Sequence, residues 1–307
     1  MGIIKAGVVG VGYLGKFHAE KYNSLKNCHL LGVVDTNEST AINVARDLTN
    51  VSAFKNYLDI LDQVDAVSIV TTTPAHYEIA RAFLSKGKHV LLEKPITSTT
   101  EQAEELISLA DQNNCILQIG HIERFNPAVL AMDVYLQSPK FIESHRLSPF
   151  RERGTDVDVV LDLMIHDIDI ILSIVNSDIE DIQASGMCVL SDAIDIANAR
   201  ITFKNNCVAN VTASRVSNKT ERKLRLFQEN AYFSADLASH DLKIYTREEK
   251  KIDSHSLTYD KSDALLTEIS QFLDCIESNS QPLVTGADGL RALRTADIIN
   301  QKIQPQN

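Results

Sequence analysis

Two short stretches carry side chains that could do chemistry. KHVLLEKP ends in Glu93, Lys94 and Pro95. A lysine at the carboxyl edge of a strand could hydrogen-bond a substrate hydroxyl and, as a cation, lower that hydroxyl's pKa. In DLMIHDIDI, residues 162–170, three aspartates and a histidine interrupt an apolar run. At about 100° per residue a helix would gather Asp162, His166, Asp169 and Ser173 on one stripe, with Leu163, Met164, Ile165, Ile168 and Ile171 covering the rest. Asp162 stands one turn before His166, where a carboxylate stabilises an imidazolium. The stripe reads either as a chemically equipped face or as the solvated side of an amphipathic helix.

A third stretch points to a cofactor. GVGYLG places Gly10, Gly12 and Gly15 as GxGxxG directly after the strand-like IKAGVV, with Tyr13 and Leu14 inside the turn. The glycines permit a tight turn, let a pyrophosphate approach the backbone and seat helix against strand, while the helix N-terminus favours the anion. HLLGVVD then puts Asp35 twenty residues past Gly15, where a carboxylate accepts from a ribose hydroxyl. Asp35, Thr36 and Asn37 bring no arginine and would repel a 2′-phosphate, so NAD is expected over NADP. VSIVTTTPAHYEIA is a strand passing into a helix, which places Thr72, Thr73 and His76 at a carboxyl end beside the cofactor. For His76 a helix-cap or solvent role is the alternative. Glu93 and Lys94 occupy the equivalent edge one strand later.

The elements needed to hold these groups follow from periodicity. Up to about residue 120, β-branched runs alternate with helical patterns, which means a parallel sheet covered on both faces. From His121 the pattern changes to runs such as IANARITFKNN and CVANVTASRVS, separated by NN, SN and EN clusters. These indicate a largely antiparallel sheet. The expected fold is α/β: an N-terminal Rossmann domain, 1–120, with a doubly wound parallel sheet, and a C-terminal α+β domain, 121–307, on a mostly antiparallel open-faced sheet for substrate binding and oligomerisation. Helices are expected near Asp263 to Glu277 and Gly286 to Lys302.

Composition narrows the function classes. A chain of 307 residues exceeds one ordinary hydrophobic core. A formal charge of −11 argues against nucleic-acid or anionic-membrane partners, which demand excess Lys and Arg. Five scattered cysteines form no CxxC pair or metal-ligand cluster, so no metal is expected and the thiols read as reduced in a cytoplasmic protein. No signal peptide or membrane-spanning run is expected.

Together GVGYLGKFHA, TTPAHYEIA, LLEKP, GHIERFNP and the DxxxH of Asp162 and His166 resemble the Gfo/Idh/MocA oxidoreductases over essentially the whole chain. The resemblance implies a nicotinamide cofactor held by the Rossmann domain. It implies a homodimer or homotetramer built on the open sheet face. It makes Lys94 the active-site lysine, Asp162 and His166 the carboxylate and general base, and Arg124, Asn126 and His166 substrate contacts. Two departures, His121 in place of an aromatic and Met164 in place of glycine, are expected to reshape the sugar pocket. In ESHRLSPFRERGTDVDVV, Arg146, Arg151 and Arg153 cluster in a loop feeding the catalytic helix. Guanidinium forks match phosphate oxygens, so Arg146 and Arg153 are expected on an anionic substrate; the alternative is solvation or pairing with Glu143, Glu152 and Asp156. This segment is also similar to that of the UDP-N-acetylglucosamine 3-dehydrogenases within the family. That likeness implies oxidation of a UDP-sugar at C3 to a ketone for a downstream aminotransferase, on the route to amide-linked lipid A or other diamino sugars. A polyol, free-sugar or biliverdin-like substrate, or a non-catalytic NAD- or sugar-sensing regulator, are the alternatives on the same fold.

Overall fold

The computed structural model describes residues 3–150, 157–248, 251–259 and 263–303. The chain forms two compact units, Met1–Ile122 with Asp263–Leu290, and Glu123–Ser262 with Arg291–Asn307. Two continuous domains split at 120 are therefore corrected: the chain returns to the first unit. The cause is burial, because α7 (Ala264–Ser278) places Leu265, Ile269, Phe272 and Leu273 in the core that holds Ala6, Val8 and Leu91. Local periodicity carries no trace of such a return.

The first unit is a six-stranded sheet ordered β3-β2-β1-β4-β5-β6. Its strands are β1 (Ile4–Val9), β2 (Cys28–Val34), β3 (Ser52–Phe54), β4 (Ala66–Ile69), β5 (His89–Glu93) and β6 (Leu117–Gly120), all paired in parallel. Val8, Val33, Val67, Ile69 and Leu92 are fully enclosed or nearly so, as strands covered on both faces require. The connecting helices are α1 (Gly15–Ser24), α2 (Glu38–Arg46), α3 (Thr73–Ser85) and α4 (Thr100–Gln112). Strand order reverses at β1 and β4, and ligands of such sheets bind outside the carboxyl ends at that point. β3, three residues long, is too short to read from pattern.

The second unit is an eight-stranded sheet ordered β14-β13-β12-β11-β7-β10-β9-β8. Its strands are β7 (Phe141–Leu147), β8 (Ile179–Met187), β9 (Ile196–Phe203), β10 (Val208–Ser214), β11 (Glu221–Gln228), β12 (Ala231–Asp236), β13 (Asp241–Glu248) and β14 (Lys251–Thr258). Only β7 and β10 run parallel; the other pairs are antiparallel. Alternation sends Ala197, Ala199, Ile201 and Phe203 of β9 into the core and leaves Asn198 and Arg200 on the open face. The core side packs with α5 (Pro127–Asp133), α6 (Ile165–Ile174) and α8 (Gly286–Lys302) through Met132, Ile168, Ile171, Ala292 and Ile299. The NN and EN clusters make the hairpin turns, with Asn206 at φ 65° and Asn230 at φ 61°, a left-handed conformation that asparagine tolerates. Among the described residues no helix is long and apolar enough to cross a membrane.

Candidate active site

The glycine turn of the first unit has the shape of an anion cradle. Gly10 sits at φ 85°, where a Cβ would come 2.6 Å from the Val70 carbonyl oxygen. A Cβ on Gly15 would collide with the Gly10 carbonyl oxygen, so helix and turn touch there. Gly12 differs, because a Cβ would meet nothing within 4 Å: its backbone borders open space. Helix α1 begins three residues later, at Gly15, with no side-chain cap and no acidic residue in its first turn, so the positive end of its dipole faces the turn uncompensated. Tyr13 and Leu14 are exposed beside it. The Asp35 carboxylate is fixed at the end of β2, accepting from Val11 N at 3.1 Å and Asn37 N at 2.9 Å, with Thr36 exposed next to it. This geometry fits a dinucleotide. Gly12→Ala should therefore keep the wild-type melting temperature yet weaken NAD binding by about tenfold, ~1.4 kcal/mol. Gly15→Ala should lower both; calorimetry and fluorescence titration separate the two outcomes.

At the next strand ends the predicted residues divide into those that face outward and those that hold them. Thr72 is exposed at the start of α3 and Thr73 half-buried, both open to a ligand. His76 is instead 1 % exposed, with Nδ1 3.0 Å from the Pro95 carbonyl and Nε2 3.1 Å from the Thr71 carbonyl. Burial pulls its pKa below the ordinary value, against the pull of those carbonyls and of Glu93. His76 ties the β4 and β5 loops together from behind, which corrects both the cofactor contact and the helix cap. Lys94 is half-buried at the end of β5. Glu93 faces inward, taking Lys94 N at 3.3 Å and His18 Nε2 at 3.2 Å, so it supports the lysine rather than offering itself to the cofactor. His18, on the buried side of α1, went unread in the sequence; its position eight residues after Gly10 carries no motif.

In the second unit the aspartate-rich helix begins unusually. Residues Val160–Met164 form a π turn in which Ile165 N donates to Val160 O, before α6 continues as an α-helix. Each residue of a wider turn advances by less than 100°, so the single α-helical stripe is corrected, and such turns recur at functional sites. Asp158 anchors the start, accepting from Val160 N and Leu161 N at 2.9 Å and from Asn300 Nδ2 at 3.1 Å.

The three aspartates then have different fates. Asp167 is buried against Arg146, whose Nε and Nη2 lie 2.6 and 3.2 Å from its oxygens. Asp169 is buried with Arg124, Nη1 to Oδ1 at 3.5 Å. Asp162 and His166 are the half-exposed pair. Of the predicted stripe, Asp169 is buried, Asp162 and His166 are half-exposed and Ser173 is exposed, so the four do not share one solvated face.

Three expected substrate contacts are corrected by these pairings. Arg146 is in β7, not a loop, and is 4 % exposed. Its Nη1 donates to Glu123 Oε1 at 2.8 Å, so all its observed bonds go to two internal carboxylates. Burial opposes ionisation of Glu123, but Arg146 and Arg222 outweigh it and hold that carboxyl below the usual range. Arg124, 11 % exposed, is turned toward Asp169. Asn126 caps α5 through Ala128 N at 3.1 Å and donates to Leu237 O at 2.9 Å, a buried structural role. His121 and Met164 are also buried, so neither departure reshapes a pocket by exposure. Arg151 and Arg153 lie outside the described residues.

Comparison with known proteins accords with this arrangement. The model of the oxidoreductase family with an NAD-binding Rossmann fold, Gfo/Idh/MocA, matches residues 4–121, and that family's C-terminal domain matches 132–234. The chain belongs to the Gfo/Idh/MocA oxidoreductases. As a member it is an oxidoreductase acting on CH–OH groups, with NAD as cofactor. It is 38% identical to the UDP-N-acetylglucosamine 3-dehydrogenase of Acidithiobacillus ferrooxidans over 95% of each chain. The solved structure of that enzyme superposes with a TM-score of 0.93, covering 99% of this chain and 98% of the other. A myo-inositol 2-dehydrogenase from Thermotoga maritima is 24% identical over 94% of this chain and 93% of its own.

Proposed function

We propose that the protein oxidises the C3 hydroxyl of UDP-N-acetylglucosamine to a ketone, with NAD preferred over NADP. The end-to-end match to the Acidithiobacillus ferrooxidans enzyme carries this reading, at 38% identity against 24% for the inositol relative. His166 takes the hydroxyl proton, Asp162 stabilises the imidazolium so formed, and Lys94 orients and polarises the oxygen. Bound NAD supplies the acceptor for the hydride leaving C3. The half-exposure of Asp162 and His166, while the other α6 carboxylates are neutralised by arginine, supports these roles. Arg153 is the proposed ligand of the diphosphate.

The ketone is a substrate for an aminotransferase, which places the reaction upstream of diamino-sugar or lipid A synthesis. A homodimer or homotetramer is proposed on the open face of the second sheet. Phe141, Phe227, Tyr232 and Tyr245 form a continuous aromatic row there, with neighbouring centroids 5.8, 4.7 and 5.5 Å apart. We place the enzyme in the cytoplasm, with Cys28, Cys115, Cys188, Cys207 and Cys275 all free thiols. NADH absorbance should rise with UDP-N-acetylglucosamine and NAD, and far more slowly with NADP, because Asp35 repels the 2′-phosphate. Turnover of myo-inositol at an equal or higher kcat/KM would overturn the substrate.

A further inference from the structure

Behind Lys94 the first unit buries polar groups whose hydrogen bonds do not balance. Glu268 of α7 is 0 % exposed, and neither of its carboxyl oxygens has a hydrogen-bond partner among the described residues. Gln118 of β6, also 0 % exposed, donates from Nε2 to the Glu268 backbone carbonyl at 3.2 Å. Its own Oε1 is a buried acceptor with no donor. The amide oxygen shares a carbon with that nitrogen, which brings it near the Glu268 backbone. Three buried oxygens lacking a donor cost free energy; one added proton turns a carboxyl oxygen into a donor for one of the others and removes the charge from the carboxyl group, relieving much of that cost.

The ionisable groups whose charges act on Glu268, Glu93 and Tyr22, are both acids. From α1 come His18 and Tyr22, and from β5 comes Glu93. They form a directional chain: Tyr22 to Ser68 at 2.9 Å, Ser68 to His18 Nδ1 at 3.3 Å, and His18 Nε2 to Glu93 at 3.2 Å. With Nε2–H donating to Glu93 and Nδ1 accepting from Ser68, every member of that chain finds its partner within the chain. Glu93 then holds a negative charge, and Glu268 is the acid left over.

We propose that Glu268 is a positioning residue, carrying a proton on its buried carboxyl group at neutral pH, donating it to Gln118, and so leaving Glu93 the single negative charge behind Lys94. Burial first, and the Glu93 charge second, push the Glu268 pKa well above the ordinary carboxylate value. Ionising Glu268 sets two carboxylates against each other and loosens the Glu93 carboxylate from the Lys94 amide. The effect on turnover rests on the role proposed above for Lys94; the proton itself does not.

The folded state binds this proton more tightly than the unfolded chain. Its stabilisation is therefore complete below the unfolded carboxyl pKa and is lost as pH rises through the folded value. Infrared spectra of the full-length protein at neutral pH should show a protonated-carboxyl C=O band that shifts when glutamate is 13C-labelled and vanishes in Glu268→Gln. Wild-type melting temperature should fall relative to Glu268→Gln as pH rises, and the alkaline limb of kcat should move to higher pH in the variant. Absence of a glutamate band at neutral pH, or parallel melting curves, would overturn the proposal. Should Glu268→Gln fail to fold, the labelled wild-type spectrum alone decides it. Protein that shows the band and the diverging melting curves but does not turn over UDP-N-acetylglucosamine would overturn the substrate and leave the buried proton standing.

Discussion

His166→Ala should lower kcat by roughly 10²- to 10⁴-fold, the contribution of positioned proton transfer, while NAD binding stays near wild type. The separation follows from placement: His166 belongs to the second unit, and the glycine turn and Asp35 belong to the first. His166 is half-buried at the start of α6, so truncating it opens no large cavity and the fold should survive. The wild-type kcat profile should rise with pH as the imidazole loses its proton and becomes able to accept one, and this limb should vanish in His166→Ala. Asp162→Asn should cost less, because the base remains and only the partner stabilising its protonated form is lost. A folded His166→Ala protein turning over UDP-N-acetylglucosamine at the wild-type rate would remove His166 from the mechanism.

What the sequence shows and what it hides divide along the range of the interactions. Gly10, Gly12, Gly15 and Asp35 are legible because their chemistry is local: a turn, a helix end and the tip of the next strand lie within one βαβ unit. Lys94 is legible for the same reason, as the last residue of a buried run. Arg146 is misread because its partner Asp167 lies 21 positions away and Glu123 lies 23 away on the other side. An arginine near an active-site motif looks the same whether it meets phosphate or an internal carboxylate. Asn126 donates to a carbonyl 111 positions later, and Glu268 meets Gln118 across 150 positions. Periodicity also cannot show that β7 sits in the middle of its sheet, parallel to β10, with its even-numbered residues facing the core. That placement is what turns Arg146 inward.

Arg146 accordingly yields the largest stability effect expected of a single substitution. Arg146→Met keeps most of the apolar stem and removes the cation. Glu123 retains Arg222, whose Nη1 lies 3.2 Å away, so Asp167 is the carboxylate left stranded. Breaking a buried pair from one side leaves an uncompensated charge and costs roughly 3–5 kcal/mol, far more than the pair contributes when intact. The double variant Arg146→Met/Asp167→Leu removes that charge and should recover much of the loss, giving a coupling that urea melts of the two single variants and the double resolve. The pH dependence has a definite sign. The Glu123 carboxyl is held below its ordinary range, so its contribution is complete above that range and is lost as pH falls through the folded value; Arg146→Met should shrink this acid-sensitive share. KM for UDP-N-acetylglucosamine should change little in the folded variant. A tenfold higher KM with unaltered stability would return Arg146 to the substrate, because an arginine that binds a diphosphate is missed in binding and one that neutralises α6 is missed in folding.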